Sequence, residues 1–138
     1  MNTIVIDKEN VIDIKDNAIE LNINVEELTI NVEGRVLINE IRKLSNETLN
    51  LTINLSEGSS LTYNRFLINK EAKINIITNQ NNKSTLIFNY SILTKEPSTI
   101  DFTSNIDGND NFTEINIKGI KSRIYQGSIY RKEDLWRF

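Results

Sequence analysis

The chain has 138 residues, 38% of them hydrophobic, and 16 Lys and Arg against 19 Asp and Glu for a net charge of −3, which suits one domain closing its own core without staples. It contains no His and no Cys, so the commonest general base, the soft metal ligands, the thiol nucleophile and any disulfide framework are excluded. The cations are dispersed except between Lys118 and Lys132, which argues against nucleic acid as the main partner.

From the start of the chain, apolar residues take every second position. Met1-Asn2-Thr3-Ile4-Val5-Ile6 opens without a basic leader and a long apolar run, and no later stretch approaches the 18 or so apolar residues that span a bilayer, so the expectation is a cytoplasmic protein with no membrane partner. Ile19-Glu20-Leu21-Asn22-Ile23-Asn24-Val25 and Leu49-Asn50-Leu51-Thr52-Ile53-Asn54-Leu55 place one residue type on each side of an extended strand, because strand side chains alternate between faces. The alternation predicts strands over 3–6, 10–14, 18–25, 27–32, 35–41, 48–55, 60–68, 73–78, 84–93, 98–106, 111–118 and 123–130.

The connectors choose among all-β architectures. Tight hairpins favour Asn-Gly or Asp-Gly, and only Asp107-Gly108 qualifies in a chain with five Gly and one Pro. The corners instead carry polar punctuation: Asp16-Asn17, Glu33-Gly34, Ser45-Asn46-Glu47, Ser56 to Ser60, Asn79 to Ser84 and Lys95 to Ser98. Polar bends followed by alternating strands recur every 11 to 13 residues at Glu57-Gly58-Ser59-Ser60, Lys70-Glu71-Ala72 and Asn82-Lys83-Ser84. That cadence predicts a parallel β-solenoid with two strands per coil, filled by Leu61, Tyr63, Ile74, Ile76, Leu86 and Phe88, with Asn laddering between coils. The alternative is an antiparallel β-sandwich. Tyr90 and Phe102 fall within alternating strands and belong to the core rather than to a stacking platform.

Residues 1–130 are expected to form the single β-helix domain. The last eight, Arg131 to Phe138, lose the alternation and form a cap or tail, covering the open end of the solenoid or docking Trp136 and Phe138 on a partner. Asp101, Asp107 and Asp110, with Asn105, Asn109 and Asn111, make the densest polar loop. A paired-carboxylate site is conceivable there, but nothing fixes its geometry. A calcium loop starting at Asp107 has Phe112 where Gly is needed and Lys118 where Glu is needed, so the loop reads as a turn. No catalytic, cofactor or metal site is expected, and the protein is not expected to be an enzyme.

The stretch from about Glu26 to Tyr130, and above all Ile115-Asn116-Ile117-Lys118-Gly119-Ile120-Lys121-Ser122-Arg123-Ile124-Tyr125-Gln126-Gly127, resembles the core of the SufB and SufD family of iron–sulfur cluster assembly proteins. The resemblance implies a right-handed parallel β-helix and a non-catalytic, SufD-like scaffold that pairs with itself or with a SufB-like subunit. The family's Cys and His positions cannot be filled here, so no ligand set carries over. Candidate partner-contacting residues are Arg123 and Tyr125 in the closing motif, with Trp136 and Phe138 in the tail. Two other classes fit a solenoid: a self-assembling structural protein of the bactofilin type, and a carbohydrate-binding module.

Overall fold

A computed structural model describes the backbone of residues 1–94, 98–119 and 124–132, and the side chains of these except 42–45, 69–70, 94 and 124–132. Eight strands follow in order: β1 (Asn2–Ile6), β2 (Val11–Ile23), β3 (Glu27–Leu55), β4 (Ser60–Gln80), β5 (Thr85–Thr94), β6 (Ser98–Ile106), β7 (Phe112–Gly119) and β8 (Ile124–Lys132). Every pairing between them is parallel. The fold is a parallel β-helix, as the cadence predicts, and the antiparallel sandwich is ruled out: no pair of strands runs in opposite directions among the described residues.

The corners behave differently from the sequence expectation. Breaks expected at 15–17, 33–34, 42–47 and 69–72 all lie inside β2, β3 or β4, which carry on around the bend. Asp16 and Gly34 show how a corner is turned without ending a strand. Both are left-handed, with φ of 45° and 72°, and the β2–β3 register shifts there between Lys15 and Asn17. The Asp16 carboxylate accepts the Arg35 amide at 2.9 Å, and a Cβ on Gly34 would stand 1.9 Å from Asp16 Oδ1. Only glycine fits that packed, positive-φ position.

The coils stack in columns. Asn2, Ile19, Ile38, Tyr63, Phe88 and Ile115 succeed one another in register on one face. The sequence step between stacked residues grows from 17 in the first coil to 25 and 27 later, for example Asn2 to Ile19, Ser60 to Thr85 and Thr85 to Phe112. Inward side chains from the two faces meet in between: Phe88 stacks on Tyr63 at 4.7 Å within its own face and meets Phe102 edge-on at 5.2 Å from the opposite one. Leu61, Tyr63, Ile76, Leu86, Phe88 and Phe102 are fully buried, and Ile74 nearly so.

Outside, asparagines form the expected ladders. On one face Asn64 Nδ2 donates to Asn39 Oδ1, Asn89 to Asn64 and Asn116 to Asn89, each at 2.9 Å. On the other, Asn31 donates to Asp13, Asn54 to Asn31, Asn79 to Asn54 and Asn105 to Asn79, at 2.9 to 3.0 Å. Identical side chains one strand spacing apart line up amide on amide, which pins register more than it adds energy, since each net hydrogen bond is worth about 1 kcal/mol. Asn64→Ala removes two rungs at once and is expected to cost about 1–2 kcal/mol in urea unfolding. Loss of under about 0.3 kcal/mol would show that water replaces the ladder at no cost.

Candidate functional site

The residues singled out as partner-contacting fall largely beyond view: Arg123, Trp136 and Phe138 lie outside the described residues, and of Tyr125 only the backbone is described, in register with Thr99. Strand β8 runs to Lys132, two residues into the expected cap, and 133–138 lie outside the described residues. The polar loop around Asp107 is a bend that stacks on the bend below it. Asp107 N donates to Gln80 O, Lys83 N to Asn109 O and Asn109 N to Asn82 Oδ1, all at 2.9 Å. Asp101 sits apart on β6, opposite Asn75. Among the described residues no three His, Cys, Asp or Glu side chains gather as a metal site would need.

A buried ionic cluster escaped the sequence reading. Alternation turns Glu40 inward after Ile38 and Arg65 inward after Tyr63, and the β3–β4 register sets those two opposite each other. Arg65 Nε donates to Glu40 Oε1 at 2.8 Å and Nη2 to Glu40 Oε2 at 3.3 Å; Nη2 also pairs with Glu47, and Nη1 donates to the Tyr90 hydroxyl. The Tyr63 hydroxyl donates to Glu40 Oε1 at 2.5 Å. Glu47 Oε2 is buried without a hydrogen-bond partner.

The electrostatics follow from this packing. Burial opposes the Arg65 charge, but Glu40, Tyr90 and Glu47 outweigh it and hold the guanidinium well above its ordinary pKa. Burial, with the Glu40 charge added, pushes the Tyr63 phenol well above its usual range, and burial raises Tyr90 too against the opposing pull of Arg65. The Arg65 and Glu40 side chains have no solvent exposure. The cluster links β3, β4 and β5 inside the core.

The surfaces that remain are the long faces and the end coils. A shallow groove follows Asn54, Asn79, Gln80, Asn105 and Asp107, but its amides are already engaged with one another in the ladder. The first coil is different. Among the described residues β1 pairs with β2 alone, so its other edge presents unpaired backbone N–H and C=O groups. Beside it Met1, Val5 and Val11 are exposed, while Ile4 and Ile12 pack against the core without being sealed. Asp7, Glu9, Asp13 and Asp16 of this coil are exposed, as are Lys8 and Lys15. The backbone amides of Glu9 and Lys8 hold the exposed Glu9 carboxyl below its ordinary pKa, so it carries its charge at neutral pH.

The first coil thus combines, among the described residues, a strand edge without a neighbour, partly covered isoleucines and exposed carboxylates. No helix among the described residues is long and apolar enough to cross a membrane. Comparison with protein-family models, curated proteins and solved structures finds no match, so the β-helix itself and its first coil carry the argument about function.

Proposed function

We propose that the chain is a non-catalytic assembly subunit that acts through protein–protein association at the end coils of its β-helix, as a SufD-like scaffold in iron–sulfur cluster assembly. The observation that carries this reading is the unpaired outer edge of β1, flanked by exposed Met1 and Val5. A strand edge of this kind accepts another strand through main-chain hydrogen bonds, and apolar neighbours add the burial that makes the contact stable. Its buried ionic cluster is sealed and its polar bends stack on one another, leaving the coil ends as the surface best shaped for a partner. The fold that the SufB and SufD resemblance implies, a parallel β-helix, agrees with this reading and names the partner to try first.

The test is co-purification of the full chain with a SufB-like subunit, with the mass of the complex measured by light scattering. A stoichiometric complex that Val5→Arg weakens at least tenfold is the expected result. No complex with the SufB-like subunit and no self-association would overturn the reading.

A further inference from the structure

The bend between β6 and β7 is one residue longer than the two bends it stacks on, and the added residue changes its chemistry. Ser56, Asn81 and Asp107 open the three bends alike, their amides donating to the Val32, Leu55 and Gln80 carbonyls at 3.0, 3.1 and 2.9 Å. Gly58, Lys83 and Asp110 close them, each left-handed with φ of 72°, 57° and 57°. Lys83 follows Asn81 by two positions, but Asp110 follows Asp107 by three. Asn82 and Asn109 hold the same place, since the Gly58 amide donates to Asn82 O and the Lys83 amide to Asn109 O, both at 2.9 Å. Gly108 is therefore the insertion. Its neighbours' amides are engaged, Asp107 N with Gln80 O and Asn109 N with Asn82 Oδ1, whereas the Gly108 amide has no hydrogen-bond partner among the described residues. The Asp107 side chain is exposed, and its carboxylate likewise has no hydrogen bond or ion pair among the described residues.

We infer that Asp107-Gly108 is a site of spontaneous covalent modification, at which the Gly108 amide converts Asp107 to isoaspartate. The Gly108 nitrogen, unshielded by any Cβ of its own, attacks Asp107 Cγ. The N–Cγ bond forms, the Cγ–OH bond of the carboxylic acid breaks, and the hydroxyl leaves with the amide proton as water. Water then opens the five-membered imide. Cleavage of its N–Cγ bond restores aspartate; cleavage of the bond from nitrogen to the former main-chain carbonyl leaves the chain running through Cγ, with a free α-carboxylate. The other acid-glycine pairs, Glu33-Gly34 and Glu57-Gly58, would need the slower closure of a six-membered ring. Glu33 is also paired with Lys15 at 3.5 Å, and the Gly58 amide is held by Asn82 O. Isoaspartate adds one carbon to the main chain, and the bend has little slack for it: even a Cβ on Gly108 would stand 2.2 Å from Asn82 Oδ1 and 2.9 Å from Asn82 Cα. The contacts it disrupts are those of Asp107 N with Gln80 O and of Asn109 N with Asn82 Oδ1. This chemistry is independent of any association through the coil ends.

The full chain, held folded at neutral pH and physiological temperature for several weeks, reads the modification. Tandem mass spectrometry locates isoaspartate, and the methyl groups added by an isoaspartyl methyltransferase count it. Isoaspartate is expected to accumulate at position 107, through a transient species one water lighter, with Glu33 and Glu57 unchanged. Asp107→Glu, its fold checked by circular dichroism, is expected to lose the methyl labelling of this bend. In the converted chain the amides of residues 107 and 109 are expected to lose protection from hydrogen exchange; unchanged protection there would overturn the consequence drawn for the bend. A folded wild-type chain that stays unmodified at position 107 would overturn the inference, whether or not the urea-unfolded chain converts. Labelling of the bend that persists undiminished in Asp107→Glu would overturn the assignment to this pair.

Discussion

Arg65→Met is expected to destabilise the fold by about 3–5 kcal/mol, enough to unfold much of a small domain of ordinary stability. The reason is the pair of carboxylates left behind. Glu40 keeps Tyr63 as a donor but loses both guanidinium contacts, and Glu47, whose Oε2 already lacks a partner, loses its ion pair. Replacing one partner of a buried ion pair strands the other charge, whereas replacing all members with apolar residues of similar volume is often neutral or stabilising. The triple variant Glu40→Leu, Glu47→Leu, Arg65→Met is therefore expected to regain most of the loss. Urea unfolding followed by circular dichroism reads both. A cost below about 1 kcal/mol for Arg65→Met would mean that water reaches the cluster and that the carboxylates are not confined with the guanidinium.

Phe88→Ala carries the second large effect, about 3–5 kcal/mol, the usual range for removing a fully buried aromatic ring. Phe88 sits where both faces of the β-helix converge, with Tyr63 stacked at 4.7 Å, Phe102 edge-on at 5.2 Å and Tyr90 at 6.2 Å. Extended, hydrogen-bonded strands surround the ring, so they cannot collapse into the cavity without losing register with β4 and β7. Phe112→Ala, at a half-exposed position on β7, is expected to stay within about 0.5 kcal/mol of wild type. Equal costs at the two positions would contradict the assignment of Phe88 to the core.

What the sequence showed and what it hid have separate physical causes. Alternation reports which side of a strand a residue occupies, so Leu61, Tyr63, Phe88 and the outward Asn39 and Asn64 were legible without a structure. The polar bends at Asn79 to Ser84 and Asp107 to Asn111 were legible too, because Asn and Gly take the backbone angles that a coil must use. Strand ends were not. In a solenoid a corner such as Asp16 or Gly34 bends the chain without breaking the pairing to the next coil, so polar punctuation marks a change of face rather than the end of an element. The ionic cluster depends on two things: parity places Glu40 and Arg65 inward, and the 25-residue register, which alternation does not give, makes them partners. The open edge of β1 is invisible to composition, because it depends on which strand lies at the end of the stack.

Hydrogen exchange at the backbone amides of Asn2–Ile6, compared between the dilute chain and the same chain in its assembly, reads whether β1 is the contact edge. In a parallel strand with one neighbour, the amides that point away from β2 exchange with water, and association through this edge buries them. These amides are expected to become protected on assembly while those of the Asn64 and Asn89 strands are unchanged. An assembly that forms with the β1 amides still exchanging freely would show that association uses another surface.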